Sequence, residues 1–220
     1  MDKQEILDKL RDDNHYYGEF GKTYLSNSDI MALLNNPLDF KKQSPPTTPM
    51  VIGGYFHTCI LEPHKLDKYK IVKASTRNTK VYKEIAGSDI CLLEKEADDI
   101  QLMREIVLEN ELFQDLIQEG NVEYEVPGLV ELEGMTWKGK ANSAYRFNYD
   151  SQAYIYSKMF GYDLVFIVID KKTHQLGLFD CSDKFIQSGM NKVSSAVQVY
   201  EDYFVNGDGD FSQHDISKTL

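Results

Sequence analysis

Cysteine is scarce and shows no pairing pattern. The three residues, Cys59, Cys91 and Cys181, are widely spaced with no C-x-x-C. This excludes a structural zinc site built on cysteine pairs and fits reduced thiols in a cytoplasm. No apolar run approaches the roughly 20 residues needed to span a bilayer. The N-terminus, MDKQEILDKLRDDN, is charged throughout, which is not the pattern of a secretory signal. Positive charge is also short: 24 Lys and Arg face 35 Asp and Glu, a net charge of −11. That argues against a generally basic nucleic-acid-binding surface and leaves room only for a local basic groove. No internal repeat is present.

What is there suffices for a folded protein. The chain has 220 residues, 42% hydrophobic and 12% aromatic, enough for one sizeable core or one core with a small lobe. Residues 1–22 read as a short polar helix and loop. In LSNSDIMALLNNPLDFKK, Ser26 is a good N-cap with Asp29 three residues on. Ile30, Leu33 and Leu34 form an apolar stripe, and Pro37 stops the helix. MVIGGYFHTCILEP reads as a second buried helix closed by Pro63, its two glycines allowing close backbone approach.

Residues 65–83, KLDKYKIVKASTRNTKVYK, reverse the charge of the chain, with seven basic side chains against Asp67. Residues 94–119 carry apolar groups at helical spacing and predict one long amphipathic helix. After Gly120 the period changes. VEYEVPGLVEL and GMTWKGKAN alternate like strands across the turn Glu133-Gly134. A helix follows over 148–160. DLVFIVIDKK is a continuous apolar run, as for a strand covered on both faces, and LGLFDCS is its partner. A helix over 182–204 precedes a polar tail. Its NGDGDF lacks the Gly and Glu of a calcium loop. The order predicts an α/β or α+β domain, a mixed sheet flanked by helices with an N-terminal helical part. We divide the chain into a polar segment 1–22, a single domain 23–204 and a tail 205–220.

Taken one at a time, the polar candidates have bland readings. His57 is a hydrogen-bonded helix histidine. Gln152 and Tyr156, four apart, share one helical face. The basic run is a solvated surface. Their order in the chain forms a pattern: LSNSDIMALLNNPLDFK, IGGYFHTCILEP, WKGKAN, NYDSQAYIY and LVFIVIDKK. From about Leu25 to Phe204 the sequence resembles the PD-(D/E)xK nuclease superfamily. It is most similar to phage and prophage exodeoxyribonucleases of the exonuclease VIII type, relatives of lambda exonuclease and the RecB nuclease domain.

The resemblance implies a restriction-endonuclease-like fold and hydrolysis of phosphodiester bonds of duplex DNA from its ends, dependent on Mg²⁺ or Mn²⁺. His57 matches a metal-binding histidine. Asn142 stands at the position of the first metal-binding aspartate. Gln152 and Tyr156 match the helix that steadies the substrate backbone or the metal shell. Carboxylates would hold the ions that activate water, and a lysine would stabilise the attacking hydroxide. Lys73, Arg77 and Lys80 are the candidate DNA contacts in the basic run. The implied partners are double-stranded DNA ends, a single-strand annealing protein and further copies of the chain. The implied setting is the cytoplasm of a bacterial host, in a phage- or prophage-encoded protein.

The second element of the pattern, D/E-x-K on the next strand, is missing. Asp170-Lys171-Lys172 formally fits it but follows the Gln152 helix instead of preceding it. Only Ser143 to Phe147 separate Asn142 from that helix, too few for a turn, a strand and a connection. Losing such a strand would bare the edges of its neighbours. Three readings stay open: an exonuclease lacking part of its site, a non-cleaving relative that binds DNA ends or a recombination partner, and an unrelated α/β interaction protein.

Overall fold

A computed structural model describes residues 1–42, 45–119, 123–140 and 148–207. Asn142, the Asn142–Ser143 junction and most of the polar tail lie outside the described residues. The described chain mixes helices and strands, as expected, and divides into two compact units. The first is Met1–Gln43, Glu125–Val165 and Asp180–Leu220. The second is Ser44–Tyr124 and Phe166–Phe179.

The first unit opens with α1 (Lys3–Leu10), α2 (Asp13–Tyr17) and α3 (Glu19–Lys22). This segment is more ordered than its polar composition predicts. Leu10 and Tyr16 are buried against Leu129. Next comes α4 (Asn27–Asn35). The Asp29 carboxylate accepts from the Ser26 N–H and hydroxyl, both at 2.8 Å, and from Lys41 Nζ at 2.7 Å. Pro37 ends α4 and starts a 3₁₀ turn, Pro37–Asp39.

In the second unit, α5 (Thr48–Leu61) is followed by a 3₁₀ turn, Pro63–Lys68, and the two-residue strand β1 (Ile71–Val72). Then come α6 (Lys80–Ala86), β2 (Leu92–Leu93), α7 (Glu94–Glu109) and α8 (Glu111–Gln118). The single helix expected over 94–119 is two. Asn110 caps α8 by accepting from the Phe113 N–H at 3.3 Å, and an Asn that bonds the backbone locally favours a helix start over a helix interior. Tyr55, Cys59, Leu92, Ile100 and Met103 form one core cluster of this unit.

β3 (Pro127–Leu132) and β4 (Met135–Lys140) form an antiparallel hairpin. Its turn residues have positive φ, 52° at Glu133 and 73° at Gly134, as a tight two-residue hairpin requires. α9 (Tyr149–Phe160) ends on Gly161 in the left-handed conformation, φ 74°. β5 (Val165–Ile169) and β6 (Leu176–Asp180) pair across the turn closed by the Asp170 N–H to the Gln175 carbonyl. α10 (Asp183–Tyr200) runs into a π-helical turn, Glu201–Val205. α9, α10, α4 and β4 share a core built on Trp137, Ile155, Ile30, Leu33 and Val193.

Among the described residues the strands form three separate pairs, β1–β2 parallel, β3–β4 and β5–β6, in place of one central sheet. β5 is not covered on both faces. Ile167 and Ile169 pack inward, whereas Val165 and Val168 are 41% and 47% exposed. With β6 alone as its partner, one covered face is all the hairpin has. The edge of β4 opposite β3 is partly closed by a parallel bridge from Leu25 to Trp137. The Leu25 N–H reaches the Thr136 carbonyl at 3.0 Å, and its carbonyl takes the Lys138 N–H at 2.8 Å.

Candidate nuclease site

α9 carries the two polar residues singled out by the sequence. Gln152 and Tyr156 lie one turn apart and are only 3% and 4% exposed. Tyr156 meets Phe160 edge to face at 6.1 Å. The first turn of α9 is held by α10 and α4 through polar contacts. The Asp150 carboxylate accepts from Ser188 Oγ at 2.7 Å, Lys192 Nζ at 2.8 Å and the Ser151 N–H at 2.9 Å. Burial alone would raise the Asp150 carboxyl. The Lys192 and Ser188 hydrogen bonds outweigh it and hold the group below its ordinary value. Asn27 accepts from Ser151 Oγ at 2.7 Å and donates to the Asn148 carbonyl at 3.3 Å. Gly189 permits the close crossing, since a Cβ there would stand 1.9 Å from the Asp150 carbonyl oxygen.

β4 places Lys138 in the interior, 6% exposed. Its ammonium donates to the Tyr16 carbonyl and lies 4.0 Å from the centre of the Tyr16 ring. Sequence reading passed over Lys138, Asp150, Ser188 and Lys192. Each looks like an ordinary surface residue until the partner across the fold is known.

The donors for a metal do not assemble. His57 sits half-buried on α5, in the second unit. Glu62 is paired with Lys65 at 2.5 Å. Among the described residues no three His, Cys, Asp or Glu side chains converge as an ion would need. The sequence offers no replacement beside β4, because no Asp or Glu occurs between Glu133 and Asp150. Asp170 of the displaced D-x-K is a turn former. One carboxylate oxygen accepts from the Lys172 N–H at 2.9 Å, the Thr173 N–H at 2.7 Å and Thr173 Oγ1 at 2.9 Å. The Thr173 backbone bond chiefly holds its carboxyl below the usual value.

The basic run divides by use. Arg77 forms a two-pronged pair with Glu96, at 2.7 and 2.6 Å, and donates to the Cys91 carbonyl at 3.2 Å. The Glu96 hydrogen bond raises the Arg77 guanidinium above its ordinary value. Lys73 and Lys80 are 88% exposed, each 3.7 Å from a glutamate.

No curated protein matches the sequence. The crystal structure of a candidate exonuclease from Eubacterium rectale superposes with a TM-score of 0.62, covering 95% of each chain at 14% identity. This likeness shows the fold. No helix among the described residues is long and apolar enough to cross a membrane. Residues 19–146, more than half of the chain, match the model of a PDDEXK-like domain of unknown function (DUF3799). The chain therefore belongs to this PDDEXK-like family, within the PD-(D/E)xK nuclease superfamily, whose nucleases generally use divalent metal ions.

Proposed function

We propose that this domain binds the ends of duplex DNA on a nuclease scaffold and that the chain, as its sequence stands, does not hydrolyse them. The observation that carries this reading is the junction between β4 and α9. The resemblance calls for a carboxylate at position 142 and for a second carboxylate and a lysine beyond it. The sequence supplies Asn142, then no acid before Asp150. Mg²⁺ and Mn²⁺ are hard cations that favour anionic oxygen ligands. His57 and Asn142 would offer two neutral donors and no charge to offset the ion. Asp170 is already engaged in its turn.

In this reading Lys73 and Lys80 are phosphate contacts and Arg77 stiffens the segment that carries them. Gln152 and Tyr156 act from within the core by setting the shape of the α9 side of the DNA surface, in keeping with their burial. The partners would be those of phage recombination: DNA ends, a single-strand annealing protein and further copies of the chain, in a bacterial cytoplasm. A second reading, an active Mg²⁺-dependent exodeoxyribonuclease, is favoured by likeness to the candidate exonuclease over 95% of both chains. One experiment separates the two. A 5′-phosphorylated duplex is incubated with the protein and either ion, and both retention and length are measured. Retention at full length supports the first reading. Ion-dependent shortening establishes the second.

A further inference from the structure

The second unit contains an open cleft of about 410 Å³. One wall is Lys68, Tyr69 and Lys70, running into β1. The other is Ser88 to Cys91, running into β2. The parallel pairing of Ile71 with Leu92 locks the walls together, and the Leu92 N–H bonds the Lys70 carbonyl at 3.0 Å. The Tyr82 hydroxyl pins the second wall. It accepts from the Cys91 N–H at 2.7 Å and donates to the Cys91 carbonyl at 3.0 Å. Tyr69 is fixed too, edge to face with Tyr55 at 5.2 Å and with its hydroxyl 3.1 Å from Thr58 Oγ1. Preformed clefts of this size suit small polar ligands.

The cations of this segment are not equally available. Arg77 is committed to Glu96 and Lys65 to Glu62. Lys68 makes no ion pair among the described residues, and its ammonium lies over the Tyr69 ring at 5.3 Å. Lys70 and Asp89 approach to 3.6 Å, but both are about two-thirds exposed, at 65% and 66%. So loose a surface pair is readily exchanged for a better anion. The lysines that the fold leaves unspent therefore stand at the cleft, beside a fixed aromatic ring. Lys73 and Lys80, the basic-run candidates, are not among its lining residues.

We propose that this cleft binds a phosphate of a nucleic-acid strand, with Lys68 and Lys70 as its cations and Asp89 as the competing anion the phosphate displaces. The assignment rests on the DNA-binding reading and names a contact for it. The test is fluorescence anisotropy of a 3′-labelled, 5′-phosphorylated duplex over a range of salt. Calorimetric titrations with deoxythymidine monophosphate and with inorganic phosphate accompany it. The exposed lysines make Lys68→Ala/Lys70→Ala unlikely to disturb folding, a point checked by circular dichroism. The double variant is expected to weaken duplex binding and lower the salt slope by about two, one per lost phosphate contact. Asp89→Asn is expected to tighten binding, which a merely structural role would not produce. Duplex binding with unchanged affinity and slope in the double variant overturns the cleft and leaves the DNA reading intact. Lysine-dependent binding of the nucleotide without binding of the duplex supports the cleft and overturns the DNA reading. Binding of inorganic phosphate as strong as that of the nucleotide overturns the nucleic-acid assignment. Absence of all binding overturns both proposals.

Discussion

The Lys138 ammonium donates to the Tyr16 carbonyl and sits 4.0 Å from the centre of the Tyr16 ring. A buried lysine is tolerated because a carbonyl and an aromatic face replace part of its water. Gly21 keeps the space open, since a Cβ there would lie 2.6 Å from Lys138 Nζ. The pair ties the N-terminal helices to β4. Lys138→Ala should cost roughly 2–3 kcal/mol in urea unfolding, from the orphaned carbonyl and the emptied volume. Lys138→Met, which fills the space, should cost less. Equal stability of wild type and the alanine variant would show that the contact does not matter.

The crossing of α9 and α10 makes a prediction opposite in sign to helix propensity. Gly→Ala inside a helix ordinarily stabilises by about 1 kcal/mol. At Gly189 the new Cβ would stand 1.9 Å from the backbone oxygen of Asp150, which cannot rotate away. Gly189→Ala should destabilise by about 2 kcal/mol or more. Gly128→Ala meets the flexible Met159 side chain, at 2.3 Å, and should cost less. Thermal melts of the two variants test the order.

Asp150 gives a pH dependence with a definite sign. Its folded carboxyl lies below the ordinary value of 3.8, so its contribution is present above that pH and is lost as pH falls through the folded value. Asp150→Asn should be less stable than wild type at neutral pH by roughly 1–3 kcal/mol. The gap should close only in acid, below about pH 4. A gap independent of pH down to 2 would mean that the carboxylate charge plays no part.

Local signals in the sequence locate many of the elements. Ser26, Pro37 and Gly161 mark their helix ends because caps and breakers act on the adjacent backbone. Glu133-Gly134 marks its turn for the same reason. Relations between distant segments stay hidden. The break at Asn110 interrupts an apolar stripe that continues through it. β5 reads as doubly covered because its composition is apolar, whereas coverage depends on what pairs beside it. At the site, Gln152 and Tyr156 stand out by spacing. The Asp150–Lys192 contact joins residues 42 positions apart and leaves no local trace. The incomplete D/E-x-K pattern is visible in the sequence because it concerns composition at one place.

Arg77, Lys73 and Lys80 should separate in function. Arg77→Ala breaks a partly buried two-pronged pair and should lower stability, and Arg77→Lys should not restore it, because an ammonium cannot match both carboxylate oxygens. Lys73→Ala/Lys80→Ala should leave stability unchanged and lower the salt slope of duplex binding by about two. The reverse assignment would move the DNA contact to Arg77.

The most direct measurement is the fate of a 5′-phosphorylated duplex incubated with the wild-type chain and Mg²⁺ or Mn²⁺. Electrophoresis reads its length and anisotropy its binding. The account predicts salt-sensitive binding with every strand at full length, with or without the ion. Shortening of the strands that requires the ion and stops on chelation would contradict it.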